Sequence, residues 1–190
     1  MPKPVNNRGF SLLEGIASIG ILTLVLVVVT QVFIANQVIV ARALARADDD
    51  NGASLTIRRM GELVRGAYTV LNTYLVNGTR YSTGAYELVV QIPAIDAEGS
   101  VFPGEYDFIA IYRDDTDTTQ IWSDTMVSED SARIPGKKLL TDHNDTLEFS
   151  FNDPDPAYAT RLSVFLVNAQ AVRGVTIQTK AWTSIYLRNR

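Results

Sequence analysis

From Gly15 to Ala41 the chain carries no charged residue for 27 positions. At a rise of about 1.5 Å per helical residue such a run reaches about 40 Å, more than the roughly 30 Å of a bilayer's hydrocarbon core. Its residues are mostly Ile, Leu, Val and Ala, with a few Gly, Ser, Thr, Asn and Gln. A helix that apolar on all sides reads as a membrane segment rather than as one wall of a soluble core. β-branched residues crowd it (Val25, Val27, Val28, Val29, Thr30, Val32). They lower helix propensity in water, but hydrocarbon forces the backbone to bond internally and keeps the helix. One residue resists this reading: Glu14 stands just before the run. A carboxylate at a helix centre in the bilayer costs about 2.5 to 3.5 kcal/mol, and less towards the interface. Glu14 therefore calls for a partner.

The remaining length suits one domain. Of the 190 residues, those outside the run fit a single core of ordinary size, so neither a repeat array nor a multidomain enzyme is expected. The formal charge of −4, with 17 Lys and Arg scattered along the chain, argues against nucleic acid as a partner. Cysteine is absent, which removes disulfides, thiolate nucleophiles and cysteine-held metals together. The single histidine, His143, sits in the polar stretch Thr141-Asp142-His143-Asn144-Asp145 and reads as a loop residue in water.

Residues 1–9 are short and positive, with Lys3, Arg8 and no acid. Positive charge before an apolar segment holds that end in the cytoplasm and sends the chain after about Arg42 to the far side of the membrane. A secretory signal would be cleaved after its apolar region, at small residues. Here the notable glycine, Gly9, comes before it.

The stretch Gly9-Phe10-Ser11-Leu12-Leu13-Glu14, behind a basic leader and ahead of an apolar run, resembles the processing site of type IV pilins and of the pseudopilins of type II secretion. The resemblance implies that a prepilin peptidase cuts between Gly9 and Phe10 and methylates the new amine of Phe10. It also implies that residues 1–9 are a leader, 10–41 a transmembrane and filament-core helix, 42–75 the outer half of that helix, and 76–190 a β-rich extracytoplasmic domain. Glu14 matches the family's assembly residue. A buried charge is tolerated chiefly when paired, and a neighbouring subunit's Phe10 amine is the expected partner. Many major subunits have a proline in this helix, whereas no proline occurs here between Pro4 and Pro93. That absence and the size of the domain point to a minor subunit. Leu63-Val64-Arg65-Gly66-Ala67 and the tail Ser184 to Arg190 are most like J-type minor pseudopilins and related minor pilins. The expected partners are other pilins or pseudopilins, the peptidase and the inner membrane, crossed once. A pilus subunit with an adhesive or DNA-uptake role, and a signal-anchored domain unrelated to filaments, remain as alternatives.

After Ala41 the composition turns polar. Asp48, Asp49 and Asp50 precede Gly52, but an EF-hand frame here would put Ala47 first and Arg58 last, where acids belong. The run therefore reads as solvated charge. From Ala53 to Leu75 a second helical stretch is expected, since Ile57, Met60, Val64, Ala67, Leu71 and Leu75 recur every three or four residues. Beyond it, Tyr86–Ile92, Tyr106–Tyr112, Gln120–Trp122, Thr146–Phe151, Leu162–Val167 and Val175–Leu187 are rich in β-branched and aromatic residues. Turn dipeptides fall between them: Asn77-Gly78, Pro103-Gly104, Asp114-Asp115, Pro135-Gly136 and Asp153-Pro154. The expected class is α+β, a long N-terminal helix laid on an antiparallel sheet, which is also the layout of the pilin fold.

Catalytic motifs are lacking: no Gly-x-Ser-x-Gly elbow, phosphate loop, His-Glu-x-x-His or Gly-x-Gly-x-x-Gly is present. The pairs Asp114/Asp115, Asp142/Asp145 and Asp153/Asp155 stand among turn residues, where Asp bonds its own backbone. No enzyme activity and no resident cofactor are expected. Loop calcium is the one metal for which these carboxylates offer ligands.

Overall fold

The structure, a computed structural model, describes residues 11–187. A single helix, α1 (Leu12–Arg65), opens it and runs through the boundary between two compact units, which divide at Ala43 and Leu44. In the first unit the hydroxyls of Thr23 and Thr30 donate to the carbonyls of Ile19 (2.8 Å) and Leu26 (2.7 Å). These two hydroxyls thus bond back to their own helix.

The second unit is built from the rest of α1 and ten strands: β1 (Thr69–Leu71), β2 (Thr73–Val76), β3 (Thr79–Ser82), β4 (Glu87–Ile95), β5 (Val101–Arg113), β6 (Ile121–Met126), β7 (Gly136–Thr141), β8 (Asn144–Phe151), β9 (Arg161–Val172) and β10 (Val175–Tyr186). A 3-10 turn, Pro156–Tyr158, precedes β9. Every pairing is antiparallel. One sheet runs β1-β4-β5-β6-β7, a second β10-β9-β8, and β2 with β3 forms a separate hairpin. The fold is α+β, and each of the six expected strands overlaps an observed one, with Tyr86, Gln120 and Leu187 falling one residue outside β4, β6 and β10.

One core holds the helix against both larger sheets. Ala53, Ile57, Met60 and Val64 of α1 pack with Leu88, Val90 and Ile92 of β4, Ile109 and Ile111 of β5, and Leu147, Leu162, Leu166 and Ile185 of the three-stranded sheet. On the other face of the five-stranded sheet the β2–β3 hairpin covers Val89 and Ala110 with Val76 and Tyr81. There Tyr74 stacks on Phe108 at a centroid distance of 4.0 Å. Period-two alternation in β4 and β5 thus feeds two cores at once.

Three expectations need correction. The helix ends at Arg65 rather than near Leu75. Ala67 closes it with a short bond to the Val64 carbonyl (2.8 Å), and the stretch Thr69 to Val76, dense in β-branched and aromatic residues, pairs as β1 and β2 instead. The apolar spacing continues past Val64 only by coincidence: Leu71 is half-buried and Leu75 is exposed, both on strands. Pro103-Gly104 lies inside β5, not between strands. Gly104 adopts φ +86° opposite a register shift between Pro93 and Ile95, so the dipeptide forms a bulge rather than a turn. By contrast Asn77 (φ +46°) and Gly78 (φ +82°) make the tight β2–β3 turn that Asn-Gly specifies.

The third correction concerns Asp49. Asp48 and Asp50 are exposed, but Asp49 is only 5% exposed. It stands four residues before Ala53 and eight before Ile57, on the stripe of α1 that faces the sheets.

Candidate functional site

Helix α1 begins with Ser11 and Glu14. The Ser11 carbonyl accepts the first helical bond, from Gly15 N–H at 3.1 Å. Glu14 N–H donates to Ser11 Oγ at 3.3 Å, while Ser11 N–H and Oγ–H both donate to Glu14 Oε2, at 3.0 and 3.1 Å. This is a reciprocal capping box: each side chain satisfies a backbone donor that the first helical turn leaves open. Placed at the positive end of the helix dipole, the carboxylate is favoured there as well. The partner that Glu14 needs is therefore supplied, in the single chain, by Ser11. The Ser-x-x-Glu spacing that signals such a box stands in the sequence. Gly9 and Phe10 lie outside the described residues.

Beyond the cap, α1 is the one helix among the described residues long and apolar enough to cross a membrane. From Leu12 to Ile34 every Leu, Ile, Val and Phe is exposed, from 49% at Val25 to 84% at Leu12. A surface this large and apolar on all sides requires a cover of lipid or of other apolar helices.

The acidic loops do what their turn residues suggest. Asp114 accepts the backbone N–H of Thr116 (2.7 Å) and of Asp117 (3.0 Å), and Asp117 accepts from Thr119 N–H (3.1 Å), Thr119 Oγ1 (2.6 Å) and Gln120 Nε2 (2.9 Å). Asp153 accepts Asp155 N–H at 2.9 Å, and Asp155 accepts from Asn72 Nδ2 and Ala157 N–H. Asp142 bonds His143 Nδ1 at 2.7 Å, both exposed. Among the described residues no three His, Cys, Asp or Glu side chains converge for a metal.

The Asp114 carboxyl is held below the usual carboxylate range mainly by the Asp117 N–H, and Asp117 mainly by the Thr119 hydroxyl. Since both folded values are depressed, the order these bonds impart is complete above the ordinary aspartate value of 3.8 and is lost as pH falls through the depressed ones. In an NMR titration the amide shifts of Thr116 and Thr119 are expected to move with midpoints below 3.8. Midpoints at or above that value would mean the loop bonds do not form in solution.

At Asp49 the sign is reversed. Burial pushes this carboxyl up, against the pull of neighbouring Thr179 and His143.

Compared with protein-family models, curated proteins and solved structures, the chain finds no match.

Proposed function

We propose that this chain is a minor structural subunit of a type IV pilin-like filament, a pseudopilus of type II secretion or a type IV pilus. In this reading it acts at or near the tip, where it helps start assembly, and it has no catalytic role. The observation that carries the reading is the joint spacing of Gly9, Phe10 and Glu14 behind a basic leader and ahead of a charge-free run. The exposed apolar surface of α1 supports it, because one helix is then covered first by lipid and later by the helices of neighbouring subunits. The β-rich unit is the extracytoplasmic domain, and its α+β layout is compatible with a pilin fold. The leader stays in the cytoplasm until the peptidase removes it.

Intact-mass measurement of the protein from cells with an active prepilin peptidase tests the reading. A chain beginning at Phe10 with one added methyl group is expected. A chain that retains Met1 would sink it.

A second reading is favoured by one observation. The capping box accounts for Glu14 without any neighbour, as in a signal-anchored domain that never enters a filament.

A further inference from the structure

The five-stranded sheet is not filled out to its β7 edge. On its helix-facing side Ile109 of β5 stands opposite Thr125 of β6, which stands opposite Gly136 of β7. That row ends without a side chain, and a Cβ at Gly136 would meet nothing within 4 Å. In the next row Ile111 faces Ser123, and Ser123 faces Lys138. Residues opposite each other in a ladder share a face of the sheet, so Lys138 stands on the side of Ile111 and Ser123. Across from them α1 contributes Arg59 and Leu63, one turn apart. A cleft of about 700 Å³ opens between these walls, floored by Leu63, Ile92, Ile109 and Leu140. Small-molecule sites run from roughly 300 to 1,000 Å³ and are lined in the same way, by apolar side chains with a few polar groups among them.

The polar groups of the cleft are not matched among themselves. Thr125 is only 9% exposed, yet its hydroxyl has no hydrogen-bond partner among the described residues. A hydroxyl so deeply buried normally has one. The charged side chains at the cleft divide in two. Arg133 is held by Asp107, and the Glu62 carboxylate accepts from Arg58 Nε at 3.0 Å. Lys137 belongs to the opposite face of the sheet, where its Nζ lies 5.8 Å from the centre of the Tyr112 ring. Arg59 and Lys138 remain, and neither has a carboxylate partner among the described residues. An apolar floor, an open hydroxyl and two unpaired cations are the complement of an anion carried on an apolar body. Arginine's planar fork suits the two oxygens of a carboxylate.

We propose that the cleft between α1 and the β6–β7 edge binds a small amphipathic carboxylate. Its apolar body lies on Leu63, Ile92, Ile109 and Leu140, and its carboxylate is held by Arg59, Lys138 and the Thr125 hydroxyl. The bound molecule ties α1 to the edge strand β7, which the helix otherwise leaves open. The filament reading does not enter this assignment, so either can fail without the other.

The test titrates the full chain in detergent with octanoate, with acetate and octanol as comparisons, and follows the amide shifts of Ser123, Thr125 and Lys138 by NMR. Saturable binding with a Kd of about 1 mM or tighter is expected, which a ligand of about ten non-hydrogen atoms reaches at ordinary efficiency. Acetate, which lacks the apolar body, and octanol, which lacks the charge, each bind at least about 10-fold more weakly. Arg59→Gln and Lys138→Gln each weaken octanoate by roughly 10-fold, the loss of one hydrogen bond to a charged group. Thr125→Val keeps the shape of the side chain and weakens it by about 2- to 10-fold. Lys137→Gln, on the opposite face, leaves binding unchanged. Shifts that fail to saturate by about 10 mM octanoate, ten times the expected Kd, overturn the proposal. So does binding that acetate or octanol matches, that survives both Arg59→Gln and Lys138→Gln, or that falls equally with Lys137→Gln.

Discussion

Glu14→Gln is expected to block incorporation into the filament as fully as Glu14→Ala, while Ser11→Ala leaves incorporation nearly intact. The three variants separate the two partners open to this carboxylate. Glutamine at the third helical position can still reach back to the Ser11 N–H, so it retains the capping box. What it loses is charge. If the assembled filament pairs the carboxylate with a neighbour's amine, removing the charge strands that amine in apolar surroundings, at about 3 to 5 kcal/mol for a broken buried pair. At 1.4 kcal/mol per decade that is more than about 100-fold in the assembly equilibrium. Ser11→Ala breaks the box in the single chain and costs the helix start only about 1 kcal/mol. Shear fractions and membrane fractions, probed for this subunit, give the readout. The reverse order, with Glu14→Gln behaving as wild type and Ser11→Ala impaired, would leave Glu14 as a cap alone and favour the signal-anchored reading.

Much of this architecture was legible because its signals are local. A charge-free run of this length permits little besides a membrane helix, and alternating strands such as Glu87–Ile95 declare both faces through residues such as Leu88 and Val89. The end of α1 was not legible from periodicity. Ala67, Leu71 and Leu75 prolong the helical spacing, and only the density of β-branched residues from Thr69 onward argues for strands. Propensity and pattern disagreed there, and sheet pairing with β4 decided the outcome. Strand β7 escaped for the opposite reason. Gly136-Lys137-Lys138 has no strand character of its own and is ordered by β6, across which Lys138 faces Ser123.

The site was legible in part. Glu14 was conspicuous for its charge, whereas its bond to Ser11 required attention to the residue three places earlier. Asp49 was hidden by its neighbours, since three consecutive aspartates look like a solvated run. Counting back from Ile57 and Ala53 by four would have placed the middle one on the buried stripe. Arg59 and Lys138 could not have been found that way. They stand on different elements and wall one cleft only because the β6–β7 register turns Lys138 to the helix-facing side.

The same blindness covers an acid that is fully buried and accepts three hydrogen bonds, and it yields the other large effect. Asp107 is fully buried and accepts from Ser128 N–H (2.8 Å), Ser131 Oγ (2.7 Å) and Arg133 Nη1 (2.5 Å). The same guanidinium nitrogen also donates to the Pro93 carbonyl. One guanidinium thus fastens the segment after β6 to both β4 and β5. Arg133→Ala removes the countercharge and leaves the carboxylate buried, so a loss of about 3 to 5 kcal/mol is expected. For a chain of this size that lowers Tm by roughly 6 to 20 °C. Asp107→Asn in the Arg133→Ala background should recover part of the loss, because the amide oxygen still accepts from Ser128 N–H, the amide nitrogen donates to the Ser131 hydroxyl in place of the second oxygen, and no orphaned charge remains. Urea unfolding of the four members of this cycle gives the coupling, provided the slope with denaturant is unchanged. Because Asp107 is buried, raising the salt concentration should barely alter that coupling, unlike a surface pair such as Arg58 with Glu62. A loss below about 1 kcal/mol for Arg133→Ala, within the range of a surface pair, would mean that the two serines alone suffice to hold the buried carboxylate.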